Sequence, residues 1–257
     1  MAGIFDSHAH YGDTAFDPDR ETLLATLPQK GVTGVIEAGV DPASSEAGLR
    51  LAHRYRYIWA AVGVHPEEAG RATDDWLTRI AALSRDPRAV AIGEIGLDYH
   101  YEDACPREIQ KQWFRRQLAL AVERDLPVIV HDRDAHEDTL ALLREYRPRG
   151  VVHCFSGSVE MMREVVGLGM YIGLGGAVTF RNARRPVAVA AAVPSDRLLL
   201  ETDAPYMAPE PHRGTRCDSS LIAFTAQRIA QERGIPPEEL LALTEQNART
   251  LFRLPPE

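Results

Sequence analysis

A recurring pattern, rather than a recurring sequence, constrains this chain most. Short β-branched or apolar runs return at residues 3–7, 34–38, 57–64, 89–94, 127–131, 150–153, 170–174 and 197–201. Between them lie stretches with helical spacing or helix-start signals. Eight alternations of strand and helix predict a parallel sheet able to close on itself, a single α/β (β/α)8 TIM barrel. The length of 257 residues matches the roughly 250 that such a barrel takes, so one domain over 1–257 is expected.

The helix with the clearest signals opens at Pro106, carries Ile109, Trp113, Leu118, Ala121 and Val122 on an apolar stripe, and is stopped by Pro127. Asp134 is placed to cap the next helix, and residues 236–252 form the closing one. An open doubly wound sheet is the competing fold. No G-x-G-x-x-G or G-x-x-x-x-G-K-[ST] loop follows the first strand, which removes the usual nucleotide-binding reason for it.

Composition narrows the function. A net charge of −8 speaks against a broad basic face gripping duplex DNA, yet leaves nuclease chemistry open, because bound cations and a few local arginines can neutralise one phosphate. The start lacks a basic segment followed by an apolar one, and the uncharged stretch 165–180 is broken by five glycines and is too short for a membrane span. Cys105, Cys154 and Cys217 form no C-x-x-C pair or disulfide framework. A cytoplasmic protein without membrane partners is expected.

The chemistry-bearing residues gather at the strand ends. His8 and His10, two apart, point the same way from the end of the first strand and suit a divalent metal. Glu94 ends the fourth strand in phase with Val90 and Ile92, His131 the fifth, His153 the sixth, and Asp203 lies just past Glu201 at the eighth. These are C-terminal ends, where barrels of this kind carry their active sites. His65, in phase with Trp59, Ala61 and Gly63, is expected to face the same mouth.

Six segments together resemble the TatD family of metal-dependent deoxyribonucleases, within the amidohydrolase superfamily. They are Asp6-Ser-His-Ala-His10, Gly63-Val-His-Pro66, Gly93-Glu-Ile-Gly-Leu-Asp98, His131-Asp-Arg133, His153-Cys-Phe-Ser-Gly157 and Glu201-Thr-Asp-Ala-Pro-Tyr206. The resemblance implies two divalent metal ions, Mg²⁺ or Mn²⁺ for activity with Zn²⁺ also accepted. It places the first on His8, His10, Glu94 and Asp203, and the second on Glu94, His131 and His153, with Glu94 bridging. Some relatives bridge with a carbamylated lysine; the chain's lysines, Lys30 and Lys111, both fall in helical segments.

On this reading Asp203 is the general base, Glu94 and His65 complete the catalytic set, and His65 contacts substrate. Arg133, Arg181, Arg213 and Arg216, on loops after strands five, seven and eight, are candidates for holding phosphates. Glu201 is expected to orient the ligands from behind or to bind a third cation, Asp98 to support the ligands from behind, and Asp98 and Tyr99 to shape the rim. The expected substrate is DNA, at single-stranded or frayed ends, cut by a monomer with no obligatory protein partner.

One segment departs from the family. After Pro211-His-Arg-Gly214, where relatives commonly continue Lys-Arg-Asn-Glu-Pro, this chain has Thr215-Arg-Cys-Asp-Ser219, expected to line the pocket. That departure and the acidic balance keep an esterase, lactonase or phosphotriesterase of the amidohydrolase type as the alternative. A barrel that keeps its metals as a binding scaffold is a third reading, weakened because each ligand position is filled.

Overall fold

The computed structural model describes residues 3–101 and 105–255. Eight parallel strands, β1 (Ile4–Ala9), β2 (Val32–Ala38), β3 (Ile58–Val62), β4 (Ala89–Asp98), β5 (Val128–Arg133), β6 (Gly150–Val152), β7 (Tyr171–Leu174) and β8 (Leu198–Leu200), pair in sequence order. The barrel closes through an isolated bridge between Ala9 and Ala204, with His10 N donating to Ala204 O at 2.7 Å and Asp203 N to His8 O at 3.0 Å. Closure therefore falls on the two segments that carry His8, His10 and Asp203.

The helices are α1 (Arg20–Thr26), α2 (Pro42–Arg54), α3 (Asp74–Leu83), α4 (Arg107–Arg124), α5 (His136–Tyr146), α6 (Val159–Gly167), α7 (Arg184–Ala192), α8 (Ile222–Arg233) and α9 (Pro237–Phe252). Among the described residues, no helix is long and apolar enough to cross a membrane. Inward residues Phe5, Ile36, Trp59, Ile129, Val151, Tyr171 and Leu199 pack with Leu251 and Phe252 of α9, closing the barrel away from its mouth. A larger cluster fills the space between strands and helices.

Strand phase is less regular than simple alternation predicts. Phe5 points inward, and a register shift between Asp6 and Ala9 lets His8 and His10 share the mouth. Val90 faces the barrel interior but Ile92 joins the outer cluster, so Glu94 is not in phase with both; a register shift between Ile92 and Ile95 intervenes. Gly96 makes the β4–β5 approach possible. Its φ is +148°, and a Cβ there would overlap the His131 carbonyl.

Two helix expectations change. Asp134 does not cap α5, whose N-cap is Ala135 without a side-chain bond; Asp134 instead pairs with His100 at 2.8 Å. On α4, Ile109 and Val122 are exposed, while Gln110 and Gln117 are buried with Trp113, Phe114 and Leu118. The glutamines replace apolar residues because they do backbone work. Gln110 accepts from Asp98 N and donates to Asp98 O, both at 2.8 Å, and Gln117 does the same to Val64 at 2.7 and 2.9 Å. Each finishes a strand end where no neighbouring strand supplies partners.

Candidate metal centre

At the mouth, the side chains of six segments converge at the floor of a cleft of about 740 Å³. His8 Nε2 and His10 Nε2 are 2.9 Å apart. Glu94 Oε2 lies 3.3 and 3.4 Å from them, and Asp203 Oδ1 3.5 and 3.4 Å. His10 directs Nδ1 to the Ala38 carbonyl at 2.9 Å, so its Nε2 turns a lone pair toward this point.

The other oxygen of the same glutamate serves a second point. Glu94 Oε1 is 2.7 Å from His153 Nε2, 2.8 Å from His131 Nδ1 and 3.5 Å from His65 Nε2. His131 Nδ1 and His153 Nε2 are themselves 3.3 Å apart. Glu94 thus divides its carboxylate between two imidazole clusters, the disposition of a bridging ligand.

Such a crowd of mutually facing acceptors fits cations better than it fits a metal-free core. Three sets, His8–Glu94–His153, His8–His10–Asp203 and His65–Glu94–His131, bring their ligand atoms within 4.8 Å of one another. The far nitrogens of His8 and His153, both Nδ1, are buried with no hydrogen-bond partner among the described residues. Their rings stack with centroids 3.9 Å apart. Nitrogen and carboxylate donors in this mixture suit Zn²⁺, Mn²⁺ and related divalent ions.

Without a cation, protons carry the positive charge. Burial pushes His8 down to about 4, aided by the neighbouring His153. Burial also opposes charge on His10, but Asp203 and Glu94 outweigh it and hold that imidazole up to about 10. His131 is likewise held up to about 10 against burial, by Asp98 and Glu94. Burial works against ionised Glu94, yet His153, His65 and His8 keep its carboxyl well below the usual range.

Supporting groups stand behind this shell. Asp98 Oδ2 accepts from His131 Nε2 at 2.9 Å. Glu201, pushed up to about 7 by burial, accepts from Cys154 N and from Ser7 Oγ, and stands 3.9 Å from His153 Nδ1. Glu37 accepts from Tyr11 N and Gly12 N, both at 2.7 Å, fixing the turn that follows His10. The sequence reading did not single out Glu37, Gln110 or Gln117; their one signal was a polar residue on a strand or helix face otherwise due for burial.

The substrate candidates separate. His65 and Arg133 line the cleft, Arg133 resting over the Tyr101 ring at 5.2 Å. Arg181, Arg213 and Arg216 are not among its lining residues. Arg213 stacks on Phe180 at 4.0 Å, and Arg216 is held by both Asp19 carboxylate oxygens at 2.7 and 2.6 Å. The 215–219 segment also stays off the cleft wall: Cys217 is buried, and Ser219 Oγ donates to Asp6 Oδ2 at 2.7 Å while its N donates to Tyr11 OH. Tyr99 sends its hydroxyl to Asp138 at 2.7 Å, away from the rim, where Tyr101 and Tyr206 stand exposed instead.

Residues 5–253 match the TatD related DNase family model. The metal-dependent hydrolase YabD of Bacillus subtilis is 40% identical over 254 residues, covering 98% of this chain and 99% of the relative. The 3′-5′ ssDNA/RNA exonuclease TatD of Salmonella typhimurium is 36% identical over 261 residues, with 98% and 99% covered. Among solved structures, YJJV, a TatD homologue from Escherichia coli K12, superposes with a TM-score of 0.93 at 34% identity over 99% of this chain and 100% of that one. A phosphotriesterase homology protein from Escherichia coli shares the fold, with a TM-score of 0.68 at 16% identity. Whole-chain matches of this strength, on a barrel whose mouth gathers histidines and carboxylates able to hold metal, place the chain in the TatD related DNase family as a metal-dependent hydrolase of ester bonds.

Proposed function

We propose that the protein is an exonuclease that removes nucleotides from the 3′ end of single-stranded DNA or RNA, using two divalent ions. The divided carboxylate of Glu94, with one oxygen toward the His8–His10–Asp203 group and the other toward His131–His153, is the observation that carries this reading. The naming of the Salmonella and Cronobacter relatives as 3′-5′ ssDNA/RNA exonucleases supports the substrate and polarity.

His8, His10, Glu94 and Asp203 would hold the first ion, and Glu94, His131 and His153 the second, Mg²⁺ or Mn²⁺ during turnover with Zn²⁺ also tolerated. Bound there, the pair supplies neutralisation of the phosphate oxygens and lowers the pKa of water enough for attack at neutral pH. Asp203 is the proton acceptor: its side chain is 21% exposed against 4% for Glu94, so it is the more open of the two carboxylates that line the cleft. His65 and Arg133 line the same cleft and would orient a scissile phosphate there. Three free cysteines suit a reducing compartment, and we place the enzyme in the cytoplasm as a monomer.

The test is a time course on 5′-labelled and 3′-labelled single-stranded DNA with Mg²⁺ or Mn²⁺ added. Progressive shortening from the 3′ end is expected. Turnover of lactones or phosphotriesters with oligonucleotides left intact would transfer the centre to the amidohydrolase-type reading.

A further inference from the structure

Charge is distributed unevenly around the mouth. One lip carries Asp13, Glu67 and Glu68, all lining the cleft. On another side, the loop after β7 carries Arg181 and the first turn of α7 carries Arg184 and Arg185, all exposed. None of the three has a carboxylate within salt-bridge reach among the described residues, whereas Arg144, which shares a trough with Arg185, is paired with Glu164. What sets them apart is their grouping within five residues beside the mouth of a chain whose net charge is −8.

The group is continuous with the cleft. Arg185 Nη1 donates to the carbonyl of Ser156 at 3.4 Å, and Ser156 belongs to the cleft wall. From there a shallow trough of about 450 Å³ runs between α5 and α6, lined by Arg185, Arg144, His136, Ser158 and Glu137 among others. His136 is held by Asp132, itself on the cleft wall, at 2.8 Å, and that contact raises its pKa toward the charged form.

We infer that Arg181, Arg184 and Arg185 form a phosphate track along which the part of a single-stranded nucleic acid not yet in the metal centre lies. The acidic lip turns the strand away from Asp13, Glu67 and Glu68, so it leaves the mouth past Ser156. A flexible polyanion is the partner this geometry fits: the arginines are spread along an open surface rather than converging on one point that would seat a compact anion. This inference rests on the exonuclease reading but adds to it that affinity grows with strand length.

The experiment compares the wild-type protein with Arg181→Ala/Arg184→Ala/Arg185→Ala and with the triple lysine replacement, using a fluorescein-labelled twelve-nucleotide oligothymidylate and a dinucleotide. Binding is read by anisotropy across a salt series and cleavage by product release. The alanine variant should bind the twelve-mer about tenfold more weakly and lose about two units of the slope of log K against log salt, since each phosphate contact on a single strand contributes roughly 0.7. Dinucleotide cleavage and metal content should stay unchanged, and the lysine variant should keep the slope. Equal twelve-mer binding and equal slope in wild type and alanine variant would overturn the track, as would an equal loss on the dinucleotide. Failure of wild type to cleave either substrate, with binding and slope behaving as expected, would strike the exonuclease reading and leave the track standing.

Discussion

Asp98 Oδ2 accepts the Nε2 hydrogen of His131 at 2.9 Å, which leaves Nδ1 of the same ring to face Glu94 at 2.8 Å. The contact selects the tautomer and aims the lone pair. Asp98 is itself fixed by the two bonds of Gln110 to its backbone, so the chain of control runs from α4 through β4 to the proposed ligand His131 on β5.

Asp98→Asn should therefore weaken the second metal by about 10–100-fold, while the first, remote from Asp98, keeps its affinity. Titration of the metal-free protein with Mn²⁺ by calorimetry separates the two classes. Equal weakening of both, or of neither, would show that Asp98 does not orient His131. Gln110→Ala should reproduce a weaker form of the same effect and lower stability by about 1–3 kcal/mol, because Asp98 N and O lose their buried partners.

Glu94→Gln removes charge from the one side chain that both clusters share. The variant should retain less than one equivalent of metal, with cleavage reduced to background, and elemental analysis paired with the oligonucleotide assay checks it. Full metal occupancy in this variant would be incompatible with a bridging role.

Asp203→Asn tests the proton acceptor separately. The amide can still occupy the site, so metal content should hold or drop by at most one ion, while kcat falls by about 10²–10⁴-fold with little change in KM. Loss confined to KM would reassign Asp203 to substrate binding.

Proton and metal compete for the same nitrogens. His10 and His131, held up to about 10 in the metal-free protein, are charged at neutral pH, and each must lose its proton to bind a cation. Metal uptake at pH 7 should release about two protons per chain, seen as a dependence of binding enthalpy on buffer ionisation. Their raised pKa values also stabilise the metal-free fold. That contribution is complete below the ordinary histidine value of about 6.5 and disappears as pH rises through about 10. The melting temperature of the metal-free protein should accordingly fall across that window and that of the loaded protein much less. Parallel curves would remove the assignment of these protons.

Much of this was readable in the residues, for identifiable reasons. Parallel strands buried on both faces read as apolar runs, and the region around each C-terminal end is where a barrel turns from packing to chemistry; hence His131, near the end of β5, and Asp203, three residues past β8, stood out. Phase did not survive inspection at Glu94, because Ile92 joins the outer cluster and the register shifts beyond it, and alternation is blind to bulges. Gln110 and Gln117 were invisible since a helix stripe is judged by apolarity, whereas their burial is justified by backbone groups distant in sequence. Arg216 shows the reverse limit: its loop was located correctly, but its charge is spent on Asp19, a partner that sequence distance hides.

The role proposed for Glu94 is to tie two metal positions into one hydrolytic centre. Elemental analysis of the protein reconstituted with Mn²⁺, coupled to shortening of 5′-labelled single-stranded DNA by wild type and Glu94→Gln side by side, tests it most directly. The account predicts about two ions per wild-type chain with stepwise loss of 3′ nucleotides, and neither in the variant. A wild-type protein that takes up no metal after reconstitution, or a Glu94→Gln protein that cleaves as fast as wild type, would contradict it.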